Sequence, residues 1–419
     1  MFVDKRNLIG FIDIASAETR VMISSVDKDG KPVLLGKSVV KTMGFNEGKV
    51  LNFSDFSSCI NGALDEAEEN IRCKVSNVVV SLSDFEYKDY EMSGEMKWSI
   101  EKTLSVKDLI DCSRRIPVQD INLDKESLVH IVPLQFIVDD VKVVDNIEGV
   151  VAKKLKVVFR IITVDAKMQN DLRKSLEAIN LHVKYFVANS YASALSTLIE
   201  DDKRAGCLVI DIGRKSVSMA KFVNSELNKI ASFNRFGSEI LTDVLSKNLN
   251  VRYSEAEKLK IEIGATVPTP MDYSLPITIN TIGESGENRE VEIFKGKFLE
   301  VFNHYVNRYV AFLKQNAESK DLLSSVSRII LTGNGSKLKG LRAKISDNFK
   351  MLVREATPVF VPALGDDFND PKYSTLVGLF LFYYDKVSGD YRYDMKKTET
   401  KEQKNYGIKL KNFYQKIFK

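Results

Sequence analysis

Of the 419 residues only four are cysteine and three are histidine, and these scarcities remove whole classes of chemistry. Cys59, Cys73, Cys112 and Cys207 have no paired metal-ligand spacing, and a long chain so poor in cysteine points to a reducing compartment. His130, His182 and His304 lie far apart, which argues against a histidine metal site and against a Ser-His-Asp triad. The opening Met1 to Asn7 has no apolar region of the kind a secretory signal carries, so none is expected. The longest late apolar run, residues 375 to 384, falls well short of the roughly twenty residues a membrane helix requires and reads as a core helix. Zinc-finger spacing and an aromatic RNA-binding signature are also missing. The net charge is only +4, and residues 396–419 carry eight lysines against Glu399 and Glu402. The basicity therefore belongs to the tail, the body is slightly acidic, and a chain-wide nucleic-acid surface is not expected.

The length implies two or more domains, because a single core stops growing at roughly 250–300 residues. Near the middle, Cys207 to Lys221 runs as an apolar strand ending in Asp211, turns at Gly213-Arg214-Lys215-Ser216, and returns as alternating residues. Glycine lets backbone N–H groups approach an anion, Lys215 and Arg214 add positive charge, and Asp211 is suited to a hydrated cation. That is phosphate-loop chemistry, although a solvated turn with two basic residues would look the same. A second copy changes the balance. Leu8 to Ser16 again ends a strand in Asp13-Ile14, followed by the small Ala15 and the hydroxyl of Ser16, and Val21 begins a return. Two such hairpins imply two similar halves, each offering one loop to a shared phosphate chain in a site between domains.

Along the chain, strands are expected near 8–14, 19–26 and 33–40, a helix over 54–72 capped by Ser54, and a strand over 75–82. Residues 84–160 read as a small inserted α+β subdomain. Helix 166–179, strand 183–187 and helix 190–198 close the first half, and Glu200 to Arg204 link it to the second. There a helix follows Asn234-Arg235-Phe236-Gly237, another begins at a Ser254 cap, residues 266–288 suggest a small sheet, and a long helix spans 295–318. A buried strand, 326–332, ends at Gly333-Asn334-Gly335, with a helix from Lys337. These glycines would let backbone lie flat against a purine or ribose, or make an ordinary βα turn.

The assembled order resembles the actin/heat-shock-chaperone/sugar-kinase ATPase superfamily, and within it the FtsA family of bacterial division proteins. The resemblance spans nearly the whole chain. It is carried by residues 128–139 (LVHIVPLQFIVD), 208–213 (LVIDIG), 256–265 (AEKLKIEIGA), 329–341 (IILTGNGSKLKGL) and 373–380 (YSTLVGLF), with an amphipathic C-terminal segment. The implied fold is α/β: an actin/heat-shock-chaperone-like two-domain ATPase fold with an inserted small α+β subdomain and a C-terminal amphipathic helix. Its parts would be a first core domain (1–83, 161–203 and 372–385), the insertion (84–160), a second core domain (204–235 and 299–371), a smaller subdomain (236–298), a linker (386–404) and a membrane helix (405–419).

By the same resemblance, Asp13, Ser16, Asp211, Gly213, Lys215 and Ser216 would flank the phosphates of ATP, with Asp13 and Asp211 at Mg2+. Glu257 and Lys260 would face ribose and base, Gly333, Asn334 and Gly335 the adenine side, and Gly237 belongs to the same set. The chain also departs from the family pattern. Ala15 stands where glycine is usual, Glu18 where lysine is frequent, Gly213-Arg214-Lys215-Ser216 replaces Gly-Gly-Gly-Thr, and Asn334 replaces a frequent glycine. ATP binding with little or no hydrolysis is the expectation, with no catalytic residue assigned.

In the tail, Tyr406, Leu410, Phe413, Tyr414, Ile417 and Phe418 recur at i, i+4, i+7, i+8, i+11 and i+12, one helical face, flanked by Lys409, Lys416 and Lys411. Such a helix lies in a membrane interface with lysines toward anionic headgroups, or docks on its own protein. The family resemblance then implies an actin-like division protein that self-assembles and tethers FtsZ filaments to the cytoplasmic face of the inner membrane at the septum. Other division proteins would be met through the inserted subdomain. The alternatives are a sugar or acid kinase or phosphatase of the same superfamily, and a pilus-assembly actin homologue.

Overall fold

The computed structural model describes residues 8–71, 73–117, 121–143, 147–264, 268–283 and 285–384. The linker and the amphipathic segment, including Tyr406, Lys409, Leu410, Phe413, Tyr414, Lys416, Ile417 and Phe418, lie outside the described residues.

Two five-stranded sheets dominate, and they have the same topology. In the first, strands Pro32–Lys41, Glu18–Val26 and Ile9–Ile14 form an antiparallel meander, continued in parallel by Asn77–Leu82 and His182–Ala188. In the second, Glu226–Asn234, Ser216–Val223 and Cys207–Ile212 form the meander, continued in parallel by Arg328–Thr332 and Leu352–Glu355. The duplication read from two short hairpins thus extends through whole sheets. The central strands are buried along their length, as the apolar runs require when both faces are covered. Because side chains alternate between faces, Cys207 and Val209 join the core of the first half, while Leu208, Ile210 and Ile212 join that of the second.

A third sheet of four strands holds Lys88–Thr103, Val151–Asp165, Glu126–Val138 and Val141–Val143, with the helix Val106–Ser113 against it. This is the segment expected as an inserted α+β unit. The small sheet expected within 266–288 is a hairpin of Pro276–Ile282 and Asn288–Phe294. The helix Ser374–Leu381 is buried at every position and packs on Asn189–Thr197. Gly378 makes the contact possible, since a Cβ there would lie 1.8 Å from the Ala192 carbonyl oxygen. Among the described residues no helix is long and apolar enough to cross a membrane.

Several boundaries differ from expectation for local reasons. The first helix, Phe53–Glu68, is capped by Asn52, whose side chain accepts from the Asp55 N–H at 3.2 Å; Ser54 is already inside the first turn. Glu200–Ala205 is a helix and not a plain link, with three acids in its first turn and two bases in its last, which complements the helix dipole. The helix read from a Ser254 cap begins at Tyr253 after Arg252. Beyond Gly333, a short turn of 3-10 helix, Asn334–Lys337, precedes the helix Leu341–Phe349. His130 is wholly buried, accepts the Ala188 N–H at Nε2 (3.1 Å), and is pushed down to about 3 by burial, so it is a neutral core residue.

Candidate functional site

The two hairpins turn in the same register. Ile14 faces Thr19 around the turn 15–18, and Ile212 faces Val217 around 213–216, the latter closed by Gly213 N–H to Ser216 carbonyl at 2.9 Å. Each aspartate therefore ends its strand at an equivalent place. Both point into one cavity of about 390 Å³ between the two sheets, within the roughly 300–1,000 Å³ range of small-molecule sites.

Nine of the twelve residues singled out in the sequence line this cavity: Asp13, Ser16, Asp211, Gly213, Lys215, Ser216, Glu257, Gly333 and Asn334. Gly237, Lys260 and Gly335 stand behind it. A Cβ at Gly237 would lie 2.2 Å from the Arg214 carbonyl oxygen, so this glycine lets the second hairpin sit on the helix that follows. Ser238 N–H donates to the Gly213 carbonyl at 3.0 Å in the same contact. At Gly335 the obstacle would be Ile212. Lys260 bonds Thr242 Oγ1 (2.8 Å) and pairs with Glu257 (2.8 Å); burial lowers its pKa while Glu257 opposes the shift. It orients Glu257 from beneath.

The wall also contains residues that sequence reasoning missed. Arg20 lies opposite Asp13 in the hairpin register and is 8% exposed. It pairs with Asp13 at 3.0 Å and Glu18 at 2.7 Å; burial opposes its charge, and the two carboxylates more than restore it. The charge of Glu18, which stands where lysine is frequent, is thus compensated by a neighbour two residues on. The hairpin register was the available signal for Arg20. Asp13 further accepts from Ser81 (2.7 Å) and Ser83 (2.9 Å). Asp84 receives hydrogen bonds from both hairpins, from Ser16 N–H (3.1 Å), Ser16 Oγ and Ser216 Oγ. No local motif marks it, because a parallel crossover brings it there.

The basic pair of the second hairpin is already engaged. Arg214 reaches Tyr253 Oη at 3.2 Å and Glu239 at 3.3 Å, and Lys215 donates to Asn46 at 2.8 Å across the cleft. Arg235 and Glu47 add a two-pronged ion pair between the two halves, both bonds 3.0 Å. Asp211 is nearly buried, and desolvation, then repulsion by Asp13, pushes its carboxyl up to about 6. A carboxylate pair in that condition suits a cation. Gly333 has φ +83, and a Cβ there would lie 2.2 Å from Asp211 Oδ1, so its bare backbone completes the wall. These features fit a nucleotide lying against Gly333 with a cation near Asp13 and Asp211; at the hairpin end the donors already serve Asp84.

Two sheets of equal topology with paired aspartate hairpins facing one cleft define an actin-like ATPase fold. Solved structures share it: the PilM-PilN type IV pilus biogenesis complex (16% identity, TM-score 0.59, covering 89% of this chain and 97% of that one) and MreB5 of Spiroplasma citri bound to ADP (11%, 0.54, 90% and 96%). At these identities they establish the fold alone. Sequence narrows the class. The family model described as cell division protein FtsA matches residues 208–378. The FtsA of Escherichia coli strain K12 is 23% identical over 391 residues, 91% of each chain, and that of Buchnera aphidicola subsp. Schizaphis graminum 22% identical over 430 aligned residues, 100% of each. The chain is thus similar to the FtsA cell-division proteins, to the family model over residues 208–378 and to these relatives over nearly its whole length.

Proposed function

We propose that this chain is an FtsA-like division protein that binds ATP with Mg2+ in the cleft, turns it over very slowly, self-assembles, and tethers FtsZ filaments to the cytoplasmic face of the inner membrane through residues 406–419. The observation that carries the nucleotide reading is the convergence of Asp13 and Asp211, from register-matched hairpins, on one cavity. Asp13 and Asp211 would hold the hydrated ion, Ser16, Gly213, Lys215 and Ser216 the phosphates, Glu257 the ribose, and Gly333 with Asn334 the base. When bound, the ion would neutralise the phosphate chain and relieve the repulsion that raises Asp211.

Slow turnover rests on the state of the carboxylates. Asp13 is tied to Arg20, Ser81 and Ser83, which leaves it poorly placed to take a proton from water. The membrane reading rests on the apolar face and flanking lysines of the tail, and the FtsZ and septum reading on the family.

Calorimetry with Mg-ATP and a steady-state phosphate-release assay test the cleft: saturable binding is expected with release far below the roughly 10 per second typical of metabolic enzymes. Release at that rate would support a kinase or phosphatase instead. Recruitment of fluorescent FtsZ filaments to anionic vesicles by the full chain, and failure of a chain ending at Asn405 to do so, tests the tether.

A further inference from the structure

Asp84 lines the cleft at a place that neither hairpin motif accounts for. It follows the strand Asn77–Leu82, is 3% exposed, and has φ +64, a left-handed conformation rare for residues other than glycine, asparagine and aspartate. One carboxylate oxygen accepts from Ser16 N–H and Ser16 Oγ, the other from Ser216 Oγ. Asn234, on the second sheet, donates to the Asp84 backbone carbonyl at 2.9 Å. The donors are a backbone amide and two hydroxyls, from turns that belong to opposite halves of the molecule. Converging donors of this kind make an anion site, and a carboxylate of the chain already sits in it. Ser16 Oγ is held in that orientation by the Glu47 N–H at 3.2 Å.

We infer that Asp84 is a resident anion of the two-hairpin site: it fastens the halves together when no nucleotide is present, and a phosphate group must displace it to reach Ser16 and Ser216. This rests on the nucleotide reading above for the identity of the competitor, but the fastening does not. The geometry gives both consequences. A carboxylate and a phosphate oxygen cannot share the same three donors, so binding carries the loss of Asp84's hydrogen bonds. Until that exchange, Asp84 joins Lys215–Asn46 and Arg235–Glu47 as a bond across the cleft.

The test uses the full chain and two variants. Asp84→Gly removes the carboxylate and suits the positive φ, and keeps the backbone carbonyl that Asn234 uses. Asp84→Asn also tolerates that φ, has similar bulk, and loses only the charge and one acceptor. Titration calorimetry with Mg-ATP, and separately with inorganic pyrophosphate, should show Asp84→Gly binding at least about tenfold tighter than wild type, with Asp84→Asn between them. Equal or weaker binding by Asp84→Gly, with the variant folded by circular dichroism, overturns the competition. If no chain binds either probe, the nucleotide reading fails. The resident anion is then judged without ligand by hydrogen–deuterium exchange over residues 14–18 and 213–217. Faster exchange in Asp84→Gly supports the fastening, and unchanged exchange refutes it.

Discussion

Replacing Asp211 by asparagine should stabilise the protein at neutral pH when neither metal nor nucleotide is present. Asp211 is 8% exposed, and burial together with Asp13 raises its carboxyl from 3.8 to about 6. The folded state therefore holds this proton more tightly than the unfolded chain, so ionisation is resisted only in the fold. Linkage gives the sign: the contribution of this group is most favourable below about pH 4, declines as pH rises toward 6, and stays low above it. The gap between 3.8 and about 6 corresponds to roughly 3 kcal/mol once both states are ionised. Asparagine keeps the shape and an oxygen toward Thr375, whose hydroxyl lies 3.5 Å from the carboxylate, but carries no charge. Urea unfolding of wild type and variant at pH 4, 5, 6 and 7.5 would read the effect. The variant should be about 2–3 kcal/mol more stable at pH 7.5, with the difference vanishing near pH 4. Adding Mg-ATP should narrow the gap at pH 7.5, because only the wild type gains a cation partner at this position. A variant equally or less stable than wild type at pH 7.5 would refute the electrostatic account of the cleft.

Further outcomes follow from other parts of the molecule. Arg20→Met should cost roughly 3 kcal/mol in chemical unfolding, since it strands Asp13 and Glu18, and Arg20→Lys should recover part of it; a loss below about 1 kcal/mol would mean the pair is solvated. Gly378→Val places methyl groups where the Ala192 carbonyl already lies, so a melting temperature many degrees lower, or no soluble protein, is expected, whereas Gly62→Ala, with open space around it, should be tolerated. Phe413→Glu should abolish co-sedimentation with anionic vesicles and leave the circular dichroism of the body intact, and Lys409→Glu with Lys416→Glu should weaken binding to anionic but not neutral vesicles. Equal binding of wild type to both vesicle types would count against the tail as an electrostatic anchor.

What the sequence determined by itself is what is written in local patterns. The strand-turn-strand signals around Asp13 and Asp211 set two hairpins of identical register, because an apolar run, a four-residue turn and a returning run leave one pairing that buries both. The long helix Lys295–Ser319 and the buried helix Ser374–Leu381 follow from apolar periodicity and density in the same way. The family resemblance then supplied residues such as Glu257 and Lys260 that no local rule would mark.

Only the tertiary structure decided what those hairpins meet. Asp84 reaches Ser16 and Ser216 because parallel strands are joined by crossovers, which carry a residue far along the chain to the end of a neighbouring strand. Lys215 and Arg214, read as positive charges beside phosphate, are in this structure engaged with Asn46 and Glu239, partners 169 and 25 residues away that cannot be seen from the turn itself. Arg20 and Glu18 are near in sequence, but that Arg20 is buried in the cleft wall, bonded to both Asp13 and Glu18, depends on the fold around it. Local backbone and packing preferences act over a few residues, and so they can be read in order; charge, solvation and competition for a hydrogen bond depend on whatever the fold brings alongside, and so they cannot.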